Sequence, residues 1–396
     1  MRLYLFYIFV LAACILSCKE KPRAEVTPWG SVVGETADSI APAGSLSVGD
    51  IQAGGELIML TMTGADTYFD YHGHGVGTQY LLCEKFAQHL GVSLRVETCK
   101  DTAEMTRRLQ AGEGDIIVFQ LPKATKGLRF CGYAEAKAGT SWAVSSDNKE
   151  LAQAIDQWYK PELMDKVRQE EKFMFSVRSI RRKTYAPMLN ASTGTISRYD
   201  QLFQRYAPTV RWDWRLMAAQ CYQESTFDPQ ARSWAGACGL MQIMPGTAKE
   251  IGLPLADIYH PEKNIAAAAT YIGKLNKIFS DIPNPTERQW FVLASYNGGH
   301  FHIRDAMALV RKYGGDPHRW ADVSQYVLRL SQPQYYRDDV VKYGYMRGQE
   351  TANYVERIRD RWQQYRRTAR GGSFPSTDYK GDHTPQKAQR KNRFKL

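Results

Sequence analysis

The sequence predicts two folded domains of different class, an N-terminal α/β domain and a C-terminal all-α domain. Three observations lead there. A chain of 396 residues is too long for one ordinary core and suits two domains with tails. Its 43% hydrophobic, 23% charged and 12% aromatic residues are ordinary globular usage and argue against wholesale disorder. The apolar pattern also changes along the chain: short strand-like runs alternate with helical spacing up to about residue 157, and helical spacing alone follows Ile196.

In the first domain, Glu56 to Met62 is a short apolar run that reads as a strand. Thr78 to Leu90 carries Leu81, Leu82, Phe86 and Leu90 at helical spacing and is closed by Gly91, and Val92 to Val96 alternates as a second strand. Thr102 to Ala111, ending at Gly112, predicts another helix, and Asp115 to Phe119 another buried strand. These pieces give a βαβ opening to a small sheet. From Lys160 to Asn190 charged residues dominate, and Ala191 to Thr195 reads as a boundary.

The second domain begins at Ile196. Ser197 is placed to cap a helix running through Tyr206, and Trp214 to Glu224 is a second helix. Asn264 to Phe279 sets Ile265, Ala268, Ile272, Leu275 and Phe279 on one face. Thr286 is placed to cap the run to Asn297, where Gly298 and Gly299 stop it; Phe301 to Tyr313 and Thr351 to Tyr365 complete the set.

The termini read differently. Met1-Arg2, an apolar run from Leu3 to Ser17, then Cys18 followed by Lys19, Glu20 and Lys21 resembles a lipoprotein signal peptide with its lipobox. Cys18 is taken as the lipidated residue; Cys14, preceded by Leu11-Ala12-Ala13, fits the small-residue rule as the alternative. Residues 19–53, rich in Gly, Ala, Ser, Pro and Val, read as a tether, and the basic stretch 368–396 as a disordered tail. The expected location is the cell envelope, as a lipoprotein of the outer membrane facing the periplasm, since Lys rather than Asp follows Cys18. A net charge of +11 with pI near 9.2 favours polyanionic partners. Nucleic acid is disfavoured by the export signal and by the lack of a nucleic-acid motif.

Cys83, Cys99, Cys131, Cys221 and Cys238 remain, an odd number in a compartment where disulfides form. The expectation is buried small side chains or one disulfide among the first three. Their spacing is not that of a zinc site, and no metal or cofactor is expected.

Glu224 is the candidate for chemistry. Met217, Cys221 and Glu224 share one helical stripe, which sets a carboxyl among apolar residues at a helix end. Burial disfavours its charged form, so it keeps a proton near neutral pH, as a general acid must. Asp228, just before Pro229, reads as a turn residue.

The surrounding string carries more. Gln223-Glu224-Ser225-Thr226-Phe227-Asp228-Pro229, then Ser233, then Gly236 through Pro245 with Gly239-Leu240-Met241-Gln242, then Ala294-Ser295-Tyr296-Asn297-Gly298-Gly299, and finally Glu350-Thr351 with Tyr354-Val355 together resemble the soluble-lytic-transglycosylase domain of the lysozyme-like superfamily, over roughly 196–367. The resemblance implies a lysozyme-like fold acting on peptidoglycan glycan strands, with Glu224 as acid and then base and Ser233 near the muramoyl N-acetyl group. It implies that Met241 and Gln242 line the glycan groove and that Tyr296, Asn297 and Tyr354 face Glu224. An ordinary glycosidase needs two carboxylates; here the substrate's own C6 hydroxyl would attack, leaving 1,6-anhydromuramoyl ends. A lysozyme-type hydrolase and a non-catalytic peptidoglycan or solute sensor are the alternatives.

The first domain, 54–190, resembles one lobe of a periplasmic solute-binding protein of family 3, with Asp70-Tyr71, Gly73, Gly75 and Gly77 in the loop after its first strand. That implies an amino-acid or muropeptide ligand. Too few residues lie between Phe119 and Ser141 for a second lobe, which leaves open a lobe that packs or docks without a ligand. The domain order is most similar to membrane-bound lytic murein transglycosylases of the F type.

Overall fold

Side chains in the first apolar run point alternately to opposite faces, as a strand's period of two requires. In β1 (Glu56–Thr61), Leu57 and Met59 enter one core while Leu60 enters another. β1 is an inner strand, second from one edge, of a five-stranded mixed sheet in the computed structural model, which describes residues 45–135 and 140–370. It also describes a short antiparallel pair, Glu25–Val26 with Val32–Val33, that belongs to a separate unit. The lipobox cysteines Cys14 and Cys18 and residues 371–396 of the basic tail lie outside the described residues.

β2 (Phe69–Tyr71) and β3 (His74–Val76) form a separate hairpin after β1. β4 (Ser93–Thr98) pairs parallel to β1 along its whole length, and β5 (Ile116–Ile117) pairs parallel on the other side. β6 (Leu128–Glu135) and β7 (Thr140–Ser145) form an antiparallel pair, giving the order β4-β1-β5-β7-β6.

One face of the sheet is covered by α2 (Thr78–Leu90), α4 (Lys149–Trp158) and α5 (Pro161–Met174), and the other by α3 (Thr102–Gln110). The expected βαβ opening is present. The tether, expected through residue 53, ends sooner: α1 (Val48–Gly54) carries a Ser47–Asp50 capping box and buries Ile51. The charged stretch after Lys160 is the amphipathic α5, which buries Met164 and Val167 and leaves its charges outside. All five described cysteines are buried and free.

The helical half runs α6 (Asp200–Tyr206), α7 (Trp214–Ser225), α8 (Pro245–Ile251), α9 (Pro261–Ile278), α10 (Pro285–Gly298), α11 (His300–Tyr313), α12 (Trp320–Arg329), α13 (Pro333–Tyr336) and α14 (Gly348–Thr368). α7 is buried on almost every side, which suits its central place, and it packs along α14. α14 offers one stripe of Thr351, Tyr354, Val355, Ile358 and Tyr365 to the interior.

Two caps differ from the sequence reading. Asp200, not Ser197, organises the start of α6, its carboxylate accepting from Ile196 N, Ser197 N and Ser197 Oγ at 2.8, 2.7 and 2.9 Å. Asn284, not Thr286, caps α10, with its Oδ1 accepting from Thr286 N at 2.9 Å. In both cases a longer acidic or amide side chain reaches donors that the hydroxyl does not. Among the described residues no helix is long and apolar enough to cross a membrane.

Candidate active site

α7 stops one residue after Glu224 because Thr226 and Phe227 both take left-handed backbone, with φ of 53° and 62°. β-branched and aromatic residues rarely adopt it, so the surroundings must hold it. Thr226 Oγ1 donates to Lys183 O at 2.9 Å. Asp228 accepts from Lys183 N at 2.6 Å and Gln230 N at 3.0 Å, which makes it the turn residue its sequence position suggested. The sharp exit leaves Glu224 on the wall of a cleft of about 530 Å³.

Burial pushes the Glu224 carboxyl up to about 8, helped by the nearby Glu350 carboxylate. A hydrogen bond from Tyr354 and the charge of Arg182 pull the other way without cancelling it. Tyr354 Oη donates to Glu224 Oε1 at 2.5 Å and accepts from the buried Gln220 Nε2 at 3.2 Å. Arg182 donates to the Glu224 carbonyl at 2.9 Å, so its guanidinium is bound to the end of α7. The Glu224 carboxyl is thus set to hold a proton at neutral pH, oriented by a phenol.

Ser233, Gln242, Tyr296, Asn297 and Tyr354 line the cleft with Glu224. Met241 does not. It is fully buried beneath the cleft, its amide donating to Asn264 Oδ1 at 2.8 Å and its carbonyl accepting from Tyr296 Oη at 2.7 Å. The expectation that it lines the groove is therefore corrected. The Gly239–Gln242 turn faces its side chain into the core, and the backbone there is anchored by Asn264. Gln242, at φ 47°, donates to Ala231 O and Gly239 O at 3.1 and 3.0 Å, while its buried Oε1 has no protein partner. Ser233 Oγ accepts from Ala237 N at 2.9 Å, and Asn297 Oδ1 accepts from Thr351 Oγ1 at 2.7 Å.

The cleft also takes residues from the first domain. The β2–β3 hairpin turns at His72 and Gly73, both at positive φ (53° and 80°), the geometry of a tight primed turn. The Gly-rich stretch read as a loop is this hairpin. Its Tyr71 stacks on Trp234, ring centroids 5.6 Å apart and planes 8° apart, and donates to Glu350 Oε1 at 2.6 Å. His74 Nε2 lies 2.9 Å from Ala235 O. Arg347 sits over the Phe175 ring at 3.6 Å. The stretch 180–190, expected in the first domain, is built onto the second: Arg181 and Arg232 pair through two backbone hydrogen bonds of 2.9 and 3.0 Å. Nothing in local sequence marks Tyr71 or Arg182 as cleft residues, and although Glu350 stands in a signature string, its sequence position does not reveal that it comes near Glu224.

The carboxyl at the end of the central helix stands in a cleft lined by Ser, Gln, Tyr and Asn side chains, and residues 201–318, which include it, match the family model described as "Transglycosylase SLT domain". Over that stretch the chain resembles a transglycosylase SLT domain. Parts of the chain are similar to curated proteins called membrane-bound lytic murein transglycosylase F. The one from Aeromonas salmonicida is 31% identical over 298 residues, 72% of this chain and 58% of the relative. That from Desulfosudis oleivorans is 42% identical over 163 residues, 41% of this chain and 35% of the relative. That from Vibrio campbellii is 38% identical over 194 residues, 49% of this chain and 35% of the relative. The matched part of the chain thus spans between about a third and just over half of these relatives' lengths.

Proposed function

We propose that this protein is a lytic transglycosylase that cleaves the MurNAc-β-1,4-GlcNAc bond of peptidoglycan. The observation that carries the reading is Glu224 itself: a carboxyl held up to about 8 at a cleft wall and oriented by Tyr354. At neutral pH it gives its proton to the glycosidic oxygen as the bond to the muramoyl C1 breaks. The carboxylate left behind then takes the proton of the muramoyl C6 hydroxyl, whose oxygen bonds to C1. The product is a 1,6-anhydromuramoyl end, and no water is consumed. The muramoyl acetamide stabilises the cationic centre between the two steps.

The neutral, hydroxyl-rich substrate suits the lining. Hydroxyl, amide and phenol groups in the lining can donate and accept: Ser233 lies near the expected acetamide, and Tyr296 and Asn297 line the wall, Asn297 held to α14 by Thr351. Proton transfer of this kind supplies roughly a hundred- to ten-thousandfold; holding the strand in place and keeping water out supply much of the remainder.

One observation favours a second reading. Glu350 is the other carboxylate among the described lining residues, and a lysozyme-type hydrolase would use such a group to activate water or as a nucleophile. Mass spectrometry of peptidoglycan digests separates the two. Anhydromuramoyl products that vanish in Glu224→Gln support the transglycosylase; reducing ends make the enzyme a hydrolase. No cleavage returns weight to a sensor.

The anchor and location follow the N-terminal sequence. Lipidation at Cys18, with Cys14 as alternative, would tether the enzyme to the outer membrane on its periplasmic side; metabolic labelling with a palmitate analogue in Cys18→Ala and Cys14→Ala variants tests it. A muropeptide or amino-acid ligand at the first domain is part of the same reading. Heat on titrating the chain with these compounds would support it.

A further inference from the structure

The first domain does more than sit beside the helical one. Two carboxylates line the cleft, and each accepts a hydrogen bond from a tyrosine: Glu224 from Tyr354 of α14, Glu350 from Tyr71 of the hairpin. Glu350 and Tyr354 are one turn apart on α14, so they share a face. We propose that Tyr71 is a positioning residue supplied by the α/β domain to the helical domain's cleft: it pins Glu350 as a fixed negative charge beside Glu224, so that the first domain is a working part of the active site. The proposal rests on the transglycosylase reading of Glu224.

The geometry gives Tyr71 little freedom. Its ring is stacked on Trp234 and meets Phe175 edge-on at 5.0 Å. The hairpin register, Tyr71 opposite His74, fixes the strand from which it projects, and His74 is in turn held at Ala235 O. A phenol O–H donates best to an ionised carboxylate, and Arg347 lies 3.7 Å from the other Glu350 oxygen. Both carboxylate oxygens are thus held in place, one by the phenol and the other beside the guanidinium. His72 also faces Glu350 from the hairpin tip. The groups acting on Glu224 are Tyr354 and Glu350 from α14, Arg182 from the segment after α5, Tyr296 from α10, Cys221 from α7 and Tyr71 from the hairpin. Among these, Glu350 is the nearby anion, and a like charge raises the proton affinity of its neighbour.

This assigns Glu350 a role other than base. Were it the nucleophile or water activator of a hydrolase, its removal would abolish turnover. As a pinned charge, its removal moves the pH range in which Glu224 can donate.

The test uses the full chain and the pH profile of peptidoglycan cleavage for wild type, Tyr71→Phe, Glu350→Gln and the double variant. Phe keeps the ring against Trp234 and removes only the hydroxyl. The expected result is that the alkaline limb moves about half a unit to one unit toward acid in Glu350→Gln. Tyr71→Phe should move it the same way, and the double variant no further than Glu350→Gln alone. An unmoved limb in Tyr71→Phe would overturn the proposal and leave the tyrosine as packing; so would abolished turnover in Glu350→Gln. A second readout needs no turnover: titration of ¹³C-labelled glutamate carboxyls by NMR should show the Glu224 midpoint lowered in both single variants. If wild type cleaves nothing, the functional reading fails, while the NMR midpoints still decide for or against Tyr71.

Discussion

Tyr354 and Glu224 are 130 residues apart in sequence and joined by one hydrogen bond of 2.5 Å, and Gln220 holds the same phenol from one turn earlier on α7. The central helix therefore carries both the reacting carboxyl and the group that steadies its orienting tyrosine. α14 supplies the tyrosine because its buried stripe, Thr351, Tyr354, Val355 and Ile358, packs along α7.

Removing that hydroxyl has a defined sign. The Tyr354 bond lowers the proton affinity of Glu224 against the dominant effect of burial. Tyr354→Phe should therefore move the alkaline limb of the cleavage profile to higher pH, opposite to Tyr71→Phe. It should also cut turnover roughly ten- to a hundredfold, because the carboxylate loses the donor that orients it for the second proton transfer. Initial rates across pH 5 to 10 check both, and a limb that moves toward acid would contradict the account.

Glu224→Gln should make the protein more stable at neutral and alkaline pH. In the folded chain the carboxyl titrates at about 8, against an ordinary value of 4.5. The folded state thus keeps a proton that the unfolded chain releases, and its stability falls as pH rises through that window. The glutamine variant has no such titration. The gap between variant and wild type should grow between pH 5 and 8 to on the order of 2 kcal/mol, after allowance for partial exposure. Urea unfolding at the two pH values measures it; parallel wild-type and variant curves would count against a proton held at Glu224.

Asn264 supports the cleft from below. Its side chain, fully buried, donates to Cys238 O and Ile258 O at 3.2 and 2.7 Å and accepts from Met241 N at 2.8 Å. Asn264→Ala leaves three buried backbone groups without that partner and should cost about 3 kcal/mol. The turn bearing Gln242 should loosen with it, which raises KM more than it lowers kcat. Chemical denaturation and steady-state kinetics on solubilised glycan strands would reveal either effect, and an unchanged midpoint would show the turn to be held by other means.

Much of this was legible in the linear chain, for a physical reason. Helices and buried strands announce themselves through local periodicity: Thr78–Leu90 and the end of α7 near Glu224 were readable from spacing, turn residues and caps. The elevated proton affinity of Glu224 was foreshadowed by its place on an apolar stripe. Where local rules compete, periodicity and single-residue propensity do not decide the outcome. A charged helix such as α5 hides a narrow apolar stripe among its Lys and Glu residues, and two helix starts went to a hydroxyl when a neighbouring Asp or Asn reached the free amides.

By itself the sequence determined that an α/β half precedes a helical half and pointed to the candidate carboxyl, because these depend on patterns within one element or one continuous string. The tertiary structure alone decided which side chains meet. It buried Met241 beneath the groove, because the Gly239–Gln242 turn faces inward onto Asn264. It brought Tyr71 to Glu350 across 279 residues of chain, because a hairpin of the first domain packs against Trp234 of the second. Contacts of that range are set by the packing of whole domains, and no spacing in the chain encodes them.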